Sequence, residues 1–400
     1  VIPTETSCAN PVDDMAGMRP RRRGLLRGVL ALSITAAAPG VALAPARSAA
    51  VAPPMRAVPP TGDAAAADRA EWAAFRDRFV TPEGRVVDTG NGHVSHSEGQ
   101  GFAMVLAEWA DDRAAFERLL AWTRGNLSRP RDALFAWRWQ PGRPVPVEDL
   151  NSATDGDIMI AWALLRASER WSVPAWRRMA TAITQDILRL SVKEVAGRML
   201  LLPGPGGFDK VDRVIVNPSY YNLPALRALA ALVPSLAWDR LLADAPWLLD
   251  AACFGHWSVP ADWVEVMKSG GRVQLAAGWP PRFSWDAVRV PLHLAWAGET
   301  DAPAVLRSAV FWSEARAGVT PAWVDLRSGS LAPYAGHAGI VAVAALSAAA
   351  AGGAPERAVL PALDRATDYY AGALVMLARL ARQEGAIAAS PQARMMMASR

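Results

Sequence analysis

The sequence predicts an all-α fold, a helical toroid in which alternate helices line the centre and short strands are confined to loops. Three observations carry this reading. From Asp68 to about residue 382, apolar residues recur at i, i+3, i+4 spacing almost without interruption. Stretches that alternate as a half-buried strand would are few. Three acidic residues, Glu98, Asp155 and Asp286, each stand at the opening of an apolar helical run, although 57 and 131 residues separate them. In a barrel whose inner helices open at one rim, those three positions meet.

In chain order, helices are expected over 68–79, 98–110, 113–127, 156–170, 174–191, 219–232, 236–252, 287–297, 301–316, 337–350 and 357–382. Trp72, Phe75 and Phe79 mark the buried face of the first. Phe102, Leu106 and Trp109 mark that of the second, and Leu374, Leu377 and Leu380 that of the last. Pro174 and Pro355 sit near helix starts, where the missing N–H costs nothing. Arg198–Leu202 and Arg213–Val216 read as strands, expected to form one hairpin around Pro203-Gly204-Pro205-Gly206-Gly207. Residues 383–400 lose amphipathic order and are expected to be a disordered tail.

At 52% hydrophobic, 400 residues can bury one large core, and the helical region, 68–382, is read as a single catalytic domain. Residues 49–67 are rich in Pro and Ala and read as a linker. Residues 1–48 read as an export signal. Arg19 and Arg21–Arg23 supply a charged region, Leu25–Ala44 an apolar one interrupted by Arg27, and Ala42-Leu43-Ala44 a small-residue cleavage site. Arg22-Arg23-Gly24-Leu25-Leu26 is similar to a twin-arginine signal, which places the mature chain in the periplasm or outside the cell. This leader holds six arginines and three acids, so its removal lowers the net charge from +4 to +1. The basic balance therefore belongs to the leader, and no nucleic-acid partner is expected. Cleavage also removes Cys8 and leaves Cys253 alone, without an intramolecular disulfide partner.

The candidate chemistry starts at Ser97-Glu98-Gly99-Gln100-Gly101. Glycines around a carboxylate lower helix propensity and are expected to let a ligand approach the backbone. Asp155 lies in Ala153-Thr154-Asp155-Gly156-Asp157 and Asp286 in Phe283-Ser284-Trp285-Asp286-Ala287. Each acid has a plain alternative as a helix N-cap, stabilised by the helix dipole. A carboxyl that donates a proton near neutral pH needs burial or a neighbouring carboxylate to raise its pKa, and a cluster of three supplies the neighbour. Glycoside hydrolysis requires that asymmetry, with one carboxyl protonated for the leaving oxygen and one ionised to activate water. Arg289, one turn after Asp286, is positioned to hold it ionised. Seventeen tryptophans favour a sugar substrate, whose C–H faces pack on aromatic rings. Trp137, Trp139, Trp279, Trp285 and Tyr220-Tyr221 lie in or near loops, whereas Trp72, Trp109, Trp162 and Trp296 fit core positions. His93 and His96 are assigned to hydrogen bonding at the rim, since no further His/Cys cluster accompanies them. The glycine run 204–207 lacks the Lys-Ser/Thr of a phosphate loop. No metal and no cofactor are expected.

Six segments resemble glycoside hydrolase family 8, nearest to its endoglucanases associated with bacterial cellulose synthase. They are Val86–Gly92, Ser95–Gly101, Leu134–Arg138, Ala153–Asp157, Asn217–Tyr221 and Gly278–Leu292, and their order runs through roughly residues 68–382. The resemblance implies an (α/α)6 barrel and endo-acting, inverting hydrolysis of β-1,4-glucan. It implies Glu98 as general acid, Asp286 as general base and Asp155 as the acid that holds the sugar at the cleavage point. It also implies Trp137 as a stacking ring, with Tyr220 and Arg289 beside the base. Trp285 departs from the family, which usually has Tyr before the base, and so removes a phenol hydroxyl near the catalytic water. The partners implied are a β-1,4-glucan chain and, in cellulose production, the cellulose synthase complex, with the enzyme itself a monomer. The alternatives are a chitosanase or other β-1,4-glycanase of the same family, and a non-catalytic glucan-binding accessory protein.

Overall fold

A computed structural model describes residues 63–388 of the chain. The described residues form eleven α-helices: α1 (Asp63–Phe79), α2 (Ser97–Trp109), α3 (Arg113–Leu127), α4 (Thr154–Arg170), α5 (Pro174–Ser191), α6 (Leu223–Leu232), α7 (Leu236–Ala251), α8 (Arg289–Trp296), α9 (Pro303–Glu314), α10 (Ala338–Ala351) and α11 (Tyr369–Ala388). Between them run short strands: β1 (Ser95–His96), β2 (Arg138–Trp139), β3 (Val192–Val195), β4 (Arg198–Leu201), β5 (Arg213–Val216), β6 (Cys253–Phe254), β7 (Val259–Pro260), β8 (Val264–Met267), β9 (Val273–Leu275), β10 (Arg282–Phe283) and β11 (Val324–Asp325). Helices α2, α4, α6, α8, α10 and α11 touch in that order, and α11 closes the ring on α2. Helices α1, α3, α5, α7 and α9 pack outside, giving the expected α/α barrel. Among the described residues no helix is long and apolar enough to cross a membrane.

Residue patterning sorts the two layers. Every residue of α8 is buried, and so is α2 apart from Glu98. A helix that is buried all round belongs in the inner ring. By contrast α3 buries one stripe, Phe116, Leu119, Leu120, Thr123 and Leu127, and α5 another, Trp176, Ala180, Ile183, Thr184 and Ile187. Both stripes run at helical spacing, and the opposite faces carry the charged residues that meet water.

Four expectations need correction. Residues 357–382 do not form one helix: two 3-10 turns, Pro355–Arg357 and Leu363–Arg365, replace its first part. Pro361 cannot donate to a helix ladder there, and α11 starts only where the Asp368 carboxylate accepts the Ala371 N–H at 2.9 Å. The two strands flanking Pro203–Gly207 do not pair with each other. β4 pairs with β3 through a tight turn at Ala196-Gly197, both at positive φ (50° and 80°), while β5 joins β8 and β9. The intervening loop instead packs on Asn151, which exchanges two hydrogen bonds with the Gly206 backbone. The ordered ends also reach further than expected. Helix α1 begins at Asp63, inside the expected 49–67 linker, and α11 continues to Ala388 within the expected 383–400 tail. Gly385 has no room for a side chain because the Ala295 carbonyl lies 2.3 Å from where a Cβ would sit.

The far end of the inner ring is closed by charge. Glu108 near the end of α2 is buried between Arg166 (2.6 Å) and Arg170 of α4, and Arg166 also holds Glu384 of α11 at 2.8 Å. Trp296 of α8 donates its indole N–H to Glu384 at 2.7 Å. Burial opposes charge on Glu108, but the two arginines outweigh it and hold the carboxyl below its ordinary range. A depressed folded-state pKa gives stability that is complete above the unfolded pKa and is lost as pH falls through the folded one. Glu108→Gln should therefore lower the stability measured in urea by about 3–5 kcal/mol at neutral pH, the cost of breaking a buried pair. The deficit should shrink as the pH of the titration drops below about 4.

Candidate active site

The three acids of the sequence reading converge on one guanidinium. Glu98 is the second residue of α2, Asp155 the second of α4, and Asp286 lies in the turn between β10 and α8. Arg289, first residue of α8, is almost fully buried and reaches all three. One of its terminal nitrogens lies 2.8 Å from Glu98 Oε2. The other lies 2.9 Å from Asp286 Oδ1 and 3.5 Å from Asp155 Oδ2, and donates to Ser219 Oγ at 2.9 Å. Neither Glu98 nor Asp155 is a helix N-cap; those positions are His96 and Ala153, and neither makes a side-chain capping bond.

The motif glycines serve helix packing here. A Cβ on Gly156 would lie 2.3 Å from Ser97 Oγ and 2.7 Å from the Glu98 nitrogen. On Gly101 it would lie 2.7 Å from Met159 Cβ, and on Gly99 2.7 Å from the Tyr369 hydroxyl. The space expected for a ligand is thus filled by the neighbouring helix, and the missing side chains let α2 and α4 bring Glu98 and Asp155 together. Gly156→Ala should push the openings of these helices apart. It should lower stability by about 1–3 kcal/mol, as overpacking does, and lower hydrolytic turnover more than the fall in melting temperature alone explains. Assays well below the melting transition would show this.

Electrostatics separate the carboxyls. Asp155 is raised well above the usual carboxylate range, first by burial and then by the neighbouring charge of Glu98, with Arg289 opposing. Asp155 and Glu98 are neighbouring carboxyls, and like charges at close quarters favour a proton on Asp155. Burial raises Asp286 too, while Arg289 and the indole N–H of Trp263 favour its charged form. Tyr220 is buried beside the cluster, and burial together with the Asp155 and Asp286 charges pushes its phenol well above its ordinary value.

Several contributors were not legible in the sequence. Trp263, just before β8, donates its indole N–H to Asp286 Oδ2 at 3.1 Å. Asp262 beside it accepts the Ser284 and Ala287 N–H groups at 3.0 and 2.8 Å and pairs with the Ser284 hydroxyl, so it braces the turn that carries Asp286. Burial and the Asp286 charge push Asp262 up to about 7. Asp157 does the same for the Asp155 side, accepting the Phe135 N–H at 2.8 Å and pairing with the Ser152 hydroxyl. Tyr370 of α11 contacts Arg289 at 3.3 Å, and its hydroxyl donates to the Trp285 carbonyl. A phenol hydroxyl therefore stands at the Asp286 turn although Trp285 replaces the expected tyrosine. The Trp285 ring itself stacks on His337 with centroids 5.3 Å apart.

Trp137 lies at the same rim but is buried. It stacks on His96 with centroids 5.9 Å apart, lies under the Arg138 guanidinium at 4.4 Å, and donates its N–H to Asp149 at 2.9 Å. His96 faces Asp88 at 3.8 Å, whereas His93 occupies an exposed turn at φ 59°, so the two histidines do not form one site. Among the described residues no group of three or more His, Cys, Asp or Glu side chains is arranged to hold a metal ion.

Comparison with known proteins agrees with this geometry. Residues 48–384 match the family model described as glycosyl hydrolases family 8. A probable endoglucanase of Novacetimonas hansenii is 44% identical over 318 residues, 79% of this chain and 91% of that protein. An endoglucanase of Cellulomonas uda is 41% identical over 273 residues, 68% of this chain and 75% of that protein. Among solved structures, the endo-β-1,4-glucanase CMCax of Acetobacter xylinum superposes with a TM-score of 0.75 at 41% identity, over 80% of this chain and 99% of that one. The chain belongs to glycosyl hydrolases family 8.

Proposed function

We propose that this family 8 chain is an inverting endo-β-1,4-glucanase in which Glu98 is the general acid and Asp286 the general base. The observation that carries the reading is the meeting of three carboxylates on the buried guanidinium of Arg289. A protein that only bound glucan would need aromatic surface but no such cluster. In the reaction, Asp286 takes a proton from water as its oxygen attacks the anomeric carbon. Glu98 gives its proton to the departing glycosidic oxygen, so charge and atoms balance across the two carboxyls. The neighbouring Glu98 and Asp155 carboxyls favour keeping one proton for donation, and a base raised toward the working pH accepts one more effectively. Asp155 is assigned to hold the sugar at the cleavage point, with Tyr220 and Trp285 lining the base side. Trp137 is assigned as a stacking ring for a more distant sugar, which requires Arg138 to move off its face.

Reducing-sugar release from carboxymethylcellulose, chitosan and xylan tests the reading. Carboxymethylcellulose should be cut fastest; a preference for chitosan would move the assignment to the chitosanase branch. Glu98→Gln and Asp286→Asn should each cut turnover by about 10²–10⁴-fold with the fold intact. Proton NMR of early product should show the α-anomer first, and an initial β-anomer would contradict inversion.

The natural setting we infer is bacterial cellulose production, with a β-1,4-glucan chain as substrate, the cellulose synthase complex as partner and the enzyme acting as a monomer. Export to the periplasm or beyond rests on residues 1–48, which lie outside the described residues. If the twin-arginine route is used, replacing Arg22 and Arg23 by Lys should leave the precursor in the cytoplasm, as fractionation would show. Unchanged export would exclude that route.

A further inference from the structure

The base Asp286 is held from two sides, and only one of them was visible as a motif. Arg289 binds Oδ1 from α8. On the other side, Trp263 donates to Oδ2 at 3.1 Å. Trp263 is itself fixed. Its ring stacks on Trp279, at 3.9 Å between centroids, and on Phe208, at 6.0 Å, with interplanar angles of 19° and 10°. Tyr220 meets it edge-on. Its carbonyl accepts the Ala276 N–H at 3.2 Å, and the preceding Asp262 N–H donates to the Arg282 carbonyl at 2.8 Å. The indole therefore has little rotational freedom, and the direction of its N–H is set by the small sheet rather than by the helices.

We propose that Trp263 is a positioning residue for the base: its indole N–H fixes the orientation of the Asp286 carboxylate and favours its ionised form. A carboxylate gripped at both oxygens, by Arg289 and by Trp263, cannot turn about its last torsion, so the lone pair that takes the proton from water keeps one direction. Misdirection at a reacting group lowers turnover steeply even when nothing else moves. An N–H donor to a carboxylate also lowers its pKa, because it stabilises the charged form alone. The inference rests on the assignment of Asp286 as base.

The groups that face Asp286 define what a pH profile will read. Arg289 approaches from α8, Glu98 from α2, Asp155 from α4, Tyr220 from the 3-10 turn before α6, Tyr370 from α11 and Asp262 from the segment before β8. Beside these groups, Trp263 supplies a neutral donor to the carboxylate. Trp263→Phe keeps the ring stack and removes one donor, leaving every charged group in place.

The experiment measures kcat and KM on a soluble cello-oligosaccharide from about pH 4 to pH 9 for the parent, Trp263→Phe, Trp279→Phe and Asp286→Asn, with melting temperatures for each. In Trp263→Phe the acid limb of kcat should move up by about half to one pH unit, since the base loses a partner of its charged form. Its plateau kcat should fall about 10-fold, with KM within about two-fold of the parent. Trp279→Phe alters the same stack but not the N–H, so its acid limb should stay where the parent's is. An unmoved acid limb in Trp263→Phe, or a loss of kcat that follows a fall in melting temperature in both stack variants, would overturn the positioning role. An active Asp286→Asn would instead overturn the assignment of the base, so the two failures are distinguishable.

Discussion

The structure depends on one buried cation among three carboxyls, Asp155 buried and Glu98 and Asp286 partly so. Arg289 lies within ion-pair or hydrogen-bond reach of Glu98, Asp155 and Asp286 from a position almost closed to water. One guanidinium cannot neutralise three carboxylates, and uncompensated charge away from water is costly. The cluster is therefore driven to keep a proton, and burial together with the Glu98 charge favours it on Asp155. Burial raises Asp286 as well, with Arg289 opposing, so the charge around a single arginine governs the protonation of the whole cluster. Inner helices α2, α4 and α8 supply Glu98, Asp155 and Arg289, and the turn before α8 supplies Asp286, so the barrel's role is to bring these openings to the same place.

The helical barrel and the convergence of the acids were legible because they rest on signals that repeat. Apolar spacing identified the helices, and Glu98, Asp155 and Asp286 shared one kind of context. Arg289 was readable because i, i+3 neighbours on a helix face meet. Trp263 and Asp262 were not readable, since they act across 23 and about as many residues from a short irregular segment with no periodic pattern. A lone tryptophan in a chain with seventeen carries little information about which one points at a carboxylate.

Glycine taught a similar lesson. The sequence showed that Gly99, Gly101 and Gly156 had a reason, but a glycine that admits a ligand and one that admits a helix look alike in a string of letters. The strand error has the same origin. Arg198–Leu202 and Arg213–Val216 were recognised as strands, yet Ala196-Gly197 is a weaker hairpin signal than the Pro-Gly run that drew attention, and pairing depends on turn geometry rather than on proximity.

The two 3-10 turns between α10 and α11 give this barrel a seam. Among the described residues, five outer helices cover six inner ones, and the remaining stretch is closed by irregular chain in which Val359 is largely exposed. Segments with few regular backbone bonds open more readily than packed helices. The seam leads directly into Tyr369 and Tyr370, the first residues of α11, and Tyr370 braces both Arg289 and the Trp285 carbonyl. The irregular part of the wall is thus joined directly to the site. A displacement of this seam therefore has a short covalent path, through Tyr369 and Tyr370, to the turn that carries Asp286.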